Sequence, residues 1–131
     1  MQVIQTSGKR KTAIARATLK EGKGVIKVNG VLVNLITPKI ANLKIQEALM
    51  LAGDVVKKVD VDINVKGGGV ISRAEAVRTA LSKALVEFEP SLKEKFLAYD
   101  RTFLVSDVRR KETKKPGTHG RARAKRQKSY R

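Results

Sequence analysis

The sequence predicts an α+β domain with a small sheet of about four strands, helices on one face of that sheet, and an extended basic tail at the C-terminus. Three observations lead to this prediction. Apolar and polar residues alternate in several short stretches, a pattern typical of half-buried strands. Apolar residues recur at helical spacing in longer stretches. After Val108 the chain contains no Val, Ile, Leu, Met or Phe, so that part has nothing with which to form a core.

Four short strands are predicted in the first third of the chain, at residues 3–6, 12–19, 25–28 and 31–35. A compact cationic loop of Gly, Lys, Arg and Lys at 8–11 separates the first two. The pair Asn29-Gly30 separates the last two and favours a type I′ hairpin, because both central residues of that turn need a positive φ. Joined by these turns, the strands are expected to form an antiparallel meander. A further half-buried strand is predicted at 59–66, where Val and Ile alternate with polar residues.

A first helix is predicted at 38–52, with Thr37 as its N-cap, Pro38 in its first turn and Gly53 after its end. A second helix follows the triple glycine 67–69, and Ser72 and Glu75 match a capping box at its start. Its apolar face consists of residues at helical spacing: Ala74, Val77, Ala80, Leu81, Ala84, Leu85 and Phe88.

A short third helix is expected after Pro90, where Ser91 and Glu94 repeat the capping pattern. Leu92, Phe96 and Tyr99 share one face of it, so Tyr99 is assigned to the core.

The composition divides the chain into a globular body, residues 1–106, and a tail, residues 107–131. The body contains 18 Lys or Arg and 10 Asp or Glu, whereas the tail contains 11 basic and two acidic residues. The tail lacks the apolar surface that would offset the entropy of ordering it, so we expect it to be disordered when free. A net charge of +17 predicts salt-sensitive binding to a polyanion, and closely spaced tail cations suit nucleic acid.

Other functional classes fit the sequence poorly. No apolar run approaches the ~20 residues of a membrane-spanning helix, so no membrane partner is expected. There is no Cys and one His, His119, which leaves few ways to bind a metal. The triple glycine is not followed by the Lys-Ser/Thr of a phosphate-binding loop, and Asp60 and Asp62 are interpreted as solvated strand charges. We therefore expect no enzyme activity, no cofactor and no small-molecule substrate.

Several motifs resemble one known family. They are GKRKTAIARA at 8–17, VNG at 28–30, ALMLAG at 48–53, VKGGG at 65–69, AEAVR at 74–78, DVRRKETKKPG at 107–117 and RARAKRQKSYR at 121–131. In this order, and with the terminal Gln-Lys-Ser-Tyr-Arg, they resemble the universal small-subunit ribosomal protein nine in its archaeal and eukaryotic form. The resemblance implies the fold of domain two of small-subunit protein five. It also implies a structural role in the cytoplasmic ribosome, in the head of the small subunit beside neighbouring head proteins.

The cations that we expect to bind small-subunit rRNA lie in the loop, the sheet, the glycine turn and the tail. They are Lys9, Arg10, Lys11, Arg16, Lys66, Arg73, Arg109, Arg110, Lys111, Lys114, Lys115, Arg121, Arg123, Lys125 and Arg126. The resemblance implies that the tail reaches the anticodon stem-loop of the peptidyl-site tRNA. The residues expected to contact that tRNA are Lys128, Ser129, Tyr130 and Arg131.

Two other readings of the same charge pattern remain open. A protein subunit of an RNA-processing ribozyme would have a related fold and similar charge, but without the terminal Gln-Lys-Ser-Tyr-Arg. An architectural DNA-binding protein would prefer duplex DNA to folded rRNA at equal salt.

Overall fold

The computed structural model describes residues 3–118, 120, 122 and 123. They form one five-stranded mixed sheet and three α-helices, which confirms the predicted α+β class. The elements are β1 (Ile4–Arg10), β2 (Ala13–Glu21), β3 (Ile26–Val28), β4 (Val31–Leu32), α1 (Lys39–Ala52), β5 (Val59–Lys66), α2 (Val70–Phe88) and α3 (Leu92–Tyr99). Helix α2 packs on β1, β2 and β5, and α1 and α3 pack against α2. No helix of this described part is long and apolar enough to cross a membrane.

The strand order is β1-β2-β5-β3-β4, so the expected antiparallel meander is wrong. Strand β5 pairs antiparallel with β2 from Ile14 opposite Lys66 to Glu21 opposite Val59, and it pairs in parallel with β3 on its other side. Strand β5 thus has neighbours on both edges, and every second one of its side chains is buried on the face that α2 covers. The three-residue β3 could not cover the nine-residue β2 as β5 does.

The cationic loop predicted at 8–11 is also wrong, because β1 continues to Arg10 and only Lys11 and Thr12 form the turn. Lys11 adopts a positive φ of 53°, which makes so tight a turn possible. Gly8 is buried under α2, and a Cβ there would lie 2.3 Å from the carbonyl oxygen of Ala76. The glycine therefore lets α2 lie directly on the backbone of β1.

The Asn29-Gly30 hairpin is confirmed, with φ values of 51° and 81°. The return strand ends at Leu32, however, and a single 3₁₀ turn occupies 33–35, where the sequence predicted more strand. The Asn29 side chain also bonds the end of β5. Its Nδ2 donates to the Val65 carbonyl at 3.2 Å and its Oδ1 accepts from the Val65 N–H at 2.9 Å. This amide thus extends the parallel ladder beyond the end of β3.

All three predicted helices are present, but their side-chain caps are not. Helix α1 follows Pro38 as its N-cap, and α2 begins at Val70 after Gly69, two residues before Ser72. Glu75 does not bond the helix start, because its carboxylate pairs with Arg10 of β1 and Lys44 of α1. Two cations from distant parts of the chain therefore bind the Glu75 carboxylate in place of the helix N-terminus.

The third helix differs from the prediction in the same way. Ser91 precedes it, but the Ser91 hydroxyl donates to the Glu89 carboxylate at 3.1 Å and does not bond the helix backbone. Assigning Tyr99 to the core is wrong, since 60% of that residue is exposed. Its ring lies against that of Phe103 in an edge-to-face arrangement, with centroids 5.7 Å apart, whereas Phe96 and Phe103 are fully buried.

Candidate nucleic-acid interface

A cationic cleft opens between the β1–β2 turn and the first residues of the tail. Its volume is about 640 Å³, and it is lined by Lys11, Thr12, Arg109, Arg110 and Lys111. Four of these five residues are basic and none is acidic. Such a cleft concentrates positive potential and suits the phosphates of a nucleic-acid backbone.

An ion-pair network fixes the start of the tail beside this turn. The Arg10 guanidinium, at the end of β1, donates from Nε to Glu75 at 2.7 Å and also pairs with the Asp107 carboxylate. Asp107 in turn accepts from the backbone N–H of Arg109 at 2.8 Å and from its guanidinium at 2.8 and 3.0 Å. Asp107 therefore connects the tail to β1 and aligns the residues that follow it with Lys11.

The same contacts determine the charge of Asp107. Hydrogen bonds from the Arg109 side chain and backbone, followed by the positive charge of Arg10, hold the pKa of Asp107 well below its ordinary value. The carboxylate is thus ionised throughout the neutral range. Asp107 was not predicted to be a tether, although an acid at the boundary between body and tail was a usable signal.

Arg10 itself is poorly placed to contact RNA. Its side chain is 15% exposed and is engaged by two carboxylates. Arg78 behaves similarly, because its guanidinium pairs with Glu47 at 3.2 Å and lies 4.7 Å from the centre of the Phe103 ring. A cation removed from water needs such partners. Arg10 therefore links β1 to α2 and to the start of the tail.

A second basic surface lies on the face of the sheet that the helices leave open. Lys9 stands opposite Ile14 and Ile14 opposite Lys66, while Arg16 occupies the next row between Ser7 and Asn64. Around Arg16 there is a shallow depression of about 420 Å³, which Gln5, Ser7, Thr18 and Asn64 also line. Hydroxyl and amide groups beside Lys and Arg are suited to sugar and phosphate oxygens.

The glycine turn after β5 packs on the β1–β2 turn. Gly67 and Gly68 have φ values of 77° and 70°. A Cβ on Gly67 would lie 2.6 Å from the Thr12 carbonyl oxygen, and one on Gly68 would lie 2.8 Å from Ala13 Cβ. These glycines thus serve close backbone packing and bring Lys66 to the end of the sheet that carries Lys11. Arg73 donates from Nε to the Gly67 carbonyl at 2.9 Å, on the α2 side of this turn.

The described part of the tail is exposed and partly folded on itself. Lys114 and Lys115 precede a turn at Pro116 and Gly117, in which Gly117 has a φ of 79°. Arg123 reaches back and donates from Nε to Glu112 at 2.8 Å. This bond lowers the pKa of Glu112 and raises that of Arg123.

The remaining predicted contact residues lie outside the described residues, and so does His119. They are Arg121, Lys125, Arg126, Lys128, Ser129, Tyr130 and Arg131.

Asp60 has a structural role that the strand pattern did not indicate. Its Oδ1 accepts from the backbone N–H groups of Val25, Lys23 and Gly24 at 2.9, 2.9 and 3.1 Å, and these bonds lower the pKa of Asp60. The interpretation of Asp60 as a solvated charge is therefore wrong. Among the residues that the structure describes, no group of three or more His, Cys, Asp or Glu could hold a metal ion.

Comparison with known proteins gives one consistent family. The model of the family described as ribosomal protein S9/S16 matches residues 8–131, which include the β1–β2 turn, β2, β5 and the tail. A protein of Methanococcus maripaludis (strain C7) named small ribosomal subunit protein uS9 is 56% identical over 134 residues, with both chains fully covered. A protein of the same name from Methanococcus vannielii is 52% identical over the same length.

Proposed function

The chain belongs to the ribosomal protein S9/S16 family, and on that premise we propose that it binds small-subunit rRNA through the cationic cleft and the open sheet face. The observation that carries this proposal is the cleft itself, whose lining places Lys11, Arg109, Arg110 and Lys111 together without an acidic side chain. Lys9, Arg16 and Lys66 extend the basic surface over the sheet. Each phosphate that these cations neutralise releases condensed counterions, so affinity is expected to fall steeply with salt.

The body and the tail contribute differently in this proposal. The body, residues 1–106, presents cations from a sheet and a tight turn, so their spacing exists before RNA arrives. The tail, residues 107–131, supplies the other cations and takes its final path on the RNA. These tail cations are Lys114, Lys115, Arg121, Arg123, Lys125 and Arg126. Arg123 exchanges the Glu112 carboxylate for a phosphate, because a bidentate guanidinium contact is available to either anion.

We assign the end of the tail to the peptidyl-site tRNA. Lys128 and Arg131 contact backbone phosphates near the anticodon stem-loop, Tyr130 packs on a base or ribose, and Ser129 donates a hydrogen bond. The support is the motif Gln-Lys-Ser-Tyr-Arg together with the family, and a chain end can enter a crevice that a loop cannot. The protein then acts as a structural component of the cytoplasmic ribosome beside other proteins of the subunit head, and not as an enzyme.

The test measures binding of the full-length chain to small-subunit head rRNA over a range of salt concentrations. The triple variant Lys11→Asn, Arg110→Gln and Lys111→Gln removes three cleft charges, and Asn tolerates the positive φ at position 11. We expect the slope of log K against log salt to become shallower by about 2–3, since each phosphate contact contributes roughly 0.7–0.9.

A control variant removes the same charge elsewhere. Lys58, Lys93 and Lys95 are exposed and line neither basic surface. Replacing these three by Gln is expected to change the slope by less than about 1. Equal losses in both triple variants would show that only net charge matters, and equal affinity for duplex DNA at the same salt would favour a general DNA-binding role.

A further inference from the structure

An apolar groove lies at the end of the domain formed by the β3–β4 hairpin and the first turns of α1 and α2. Its volume is about 450 Å³. Buried Ala41, Ile45 and Val77 form its floor. Its walls are aliphatic and open to solvent: Val31 is 45% exposed, Leu35 68% and Val70 53%. Exposed aliphatic side chains gathered around one depression are typical of an interaction site, unlike apolar residues scattered singly over a surface.

The chain's own tail is a poor occupant of this groove. After Val108 it has no Val, Ile, Leu, Met or Phe, and its one tyrosine, Tyr130, stands between Lys128 and Arg131. The tail is also strongly cationic, and Arg73, the one charged residue among the described residues that line the groove, is cationic as well. Burying tail cations there would carry a desolvation cost with no counter-charge.

The charge at the rim indicates what kind of partner fits. Arg73 donates its Nε to the Gly67 carbonyl, and among the described residues no ion pair to Arg73 is present. The rest of its guanidinium fork is thus oriented at the rim and suits a carboxylate. A second copy bound by the same surface would bring two such arginines together. An RNA segment would set polar base edges against aliphatic walls, and the lining offers no aromatic ring for a base to stack on.

We propose that this groove receives a segment of a neighbouring protein in the small subunit, with two or three aliphatic or aromatic side chains in the groove and a carboxylate paired with Arg73. The inference rests on the proposed place of the chain in the subunit. It also reassigns Arg73, which the sequence analysis expected to bind rRNA, to a protein contact. The basic surfaces would then face RNA while the groove faces protein.

The test uses small subunits assembled with the full-length chain carrying a photoreactive benzoylphenylalanine in place of Leu35. Irradiation is expected to cross-link one protein segment with apolar residues within a few positions of an Asp, Glu or C-terminal carboxylate. Arg73→Glu should reduce the cross-link yield about tenfold, the scale of one charge-assisted hydrogen bond, whereas Arg73→Lys should retain most of it. The same photoreactive residue at Met50, which is 79% exposed on α1 and does not line the groove, is the control and should not cross-link that segment.

The possible results separate this inference from the proposed function. A cross-link to rRNA, to a second copy, or to a segment without a carboxylate would overturn the assignment of the groove. So would a chain that sediments with the subunit but forms no cross-link at position 35. A chain that is absent from the small subunit would overturn the proposed function and this inference with it. As a second measurement, Leu35→Asp with Val70→Asp should lower the amount of the cross-linked neighbour in purified subunits, while the rRNA salt slope of the free chain stays unchanged.

Discussion

Replacing Asp107 by Asn should weaken rRNA binding even though the protein becomes more positive. The Asp107 carboxylate is the group that Arg10 of β1 and Arg109 of the tail share. Asn is nearly isosteric but carries no charge, so both ion pairs are lost and the cleft cations on the tail are no longer aligned with Lys11. A model in which only net charge matters predicts the opposite sign, because the change removes a negative charge beside bound phosphates.

The size of the effect follows from two opposing contributions. Fixing the backbone of one residue costs about 1–2 kcal/mol, so freeing Arg109, Arg110 and Lys111 could cost up to ~3–6 kcal/mol on binding. The Asn side chain still accepts from the Arg109 N–H, so we expect only ~1–2 kcal/mol of that range. Removing the negative charge of Asp107 near a solvated phosphate also removes a repulsion, which strengthens binding by up to ~1 kcal/mol. The net expectation is a loss of about 1 kcal/mol, roughly a fivefold weaker complex.

The assay is equilibrium binding of the full-length chain to head rRNA at fixed salt, with Glu112→Gln as the matched control. Glu112 is the other tail acid, and its loss changes the net charge equally but releases only Arg123. Glu112→Gln should bind as tightly as the natural sequence or more tightly. Unfolding by denaturant identifies any general loss of stability in either variant. If Asp107→Asn also binds more tightly, the tether does not preorganise the cleft and the reasoning fails.

Four further changes test other parts of the structure. Asn29→Gly keeps the positive φ but removes both bonds to Val65, so it should lower the free energy of unfolding by about 2–3 kcal/mol, measured by denaturant titration. Asn29→Asp should not recover this loss, because its second carboxylate oxygen would face the Val65 carbonyl oxygen where Nδ2 now donates. Gly8→Ala would place a methyl group against the backbone of α2 and should cost about 1–3 kcal/mol in the same assay, and an unchanged midpoint would contradict the observed packing. Folding lowers the pKa of Asp60, so its ionised carboxylate stabilises the folded state at pH values above the unfolded pKa of about 4. This stabilisation is lost as the pH falls through the lower pKa of the folded state. The difference in free energy of unfolding between the natural sequence and Asp60→Asn should therefore be constant above about pH 5 and shrink below about pH 4. Removing residues 129–131 should spare subunit assembly but weaken peptidyl-site tRNA by about 1–3 kcal/mol, seen as faster tRNA dissociation from reconstituted subunits, and unchanged dissociation would argue against the tRNA assignment.

Local sequence patterns predicted the strands and helices of this fold better than they predicted which strands and side chains pair with one another. The alternation in 59–66 identified β5 to the residue, because burial of every second side chain is visible in the sequence. Nothing in that alternation states that β5 lies between β2 and β3, since pairing across 35 or more positions depends on which neighbours can cover both of its edges. The capping patterns failed for a related reason. Glu75 meets a local template, but Arg10 and Lys44 arrive from distant elements and outcompete the helix start.

The candidate site, too, could be predicted only in part from the sequence. Lys11, Arg16 and Lys66 could be proposed from residue type alone, and the structure places them on exposed surface. The cleft could not be proposed in this way, because it exists only where the tail returns to the β1–β2 turn. The contact that brings the tail there joins Arg10 to Asp107. The resemblance to a family supplied the tail motifs but not this geometry.

Three acidic residues hold elements of this basic chain together. In the described part of the chain, most ion pairs lie at joints between elements: Glu75 joins β1, α1 and α2, Glu47 joins α1 to α2, and Asp107 joins β1 to the tail. A carboxylate at such a joint holds together segments that like charges would otherwise push apart. None of the three lines the cleft or the depression on the open sheet face. These three acids therefore neutralise cations at the joints, while Lys11, Arg110 and Lys111 of the cleft and Arg16 of the open sheet face have no ion pair among the residues that the structure describes. A variant that moved a carboxylate onto either surface, without touching the joints, would be expected to fold normally and bind rRNA weakly.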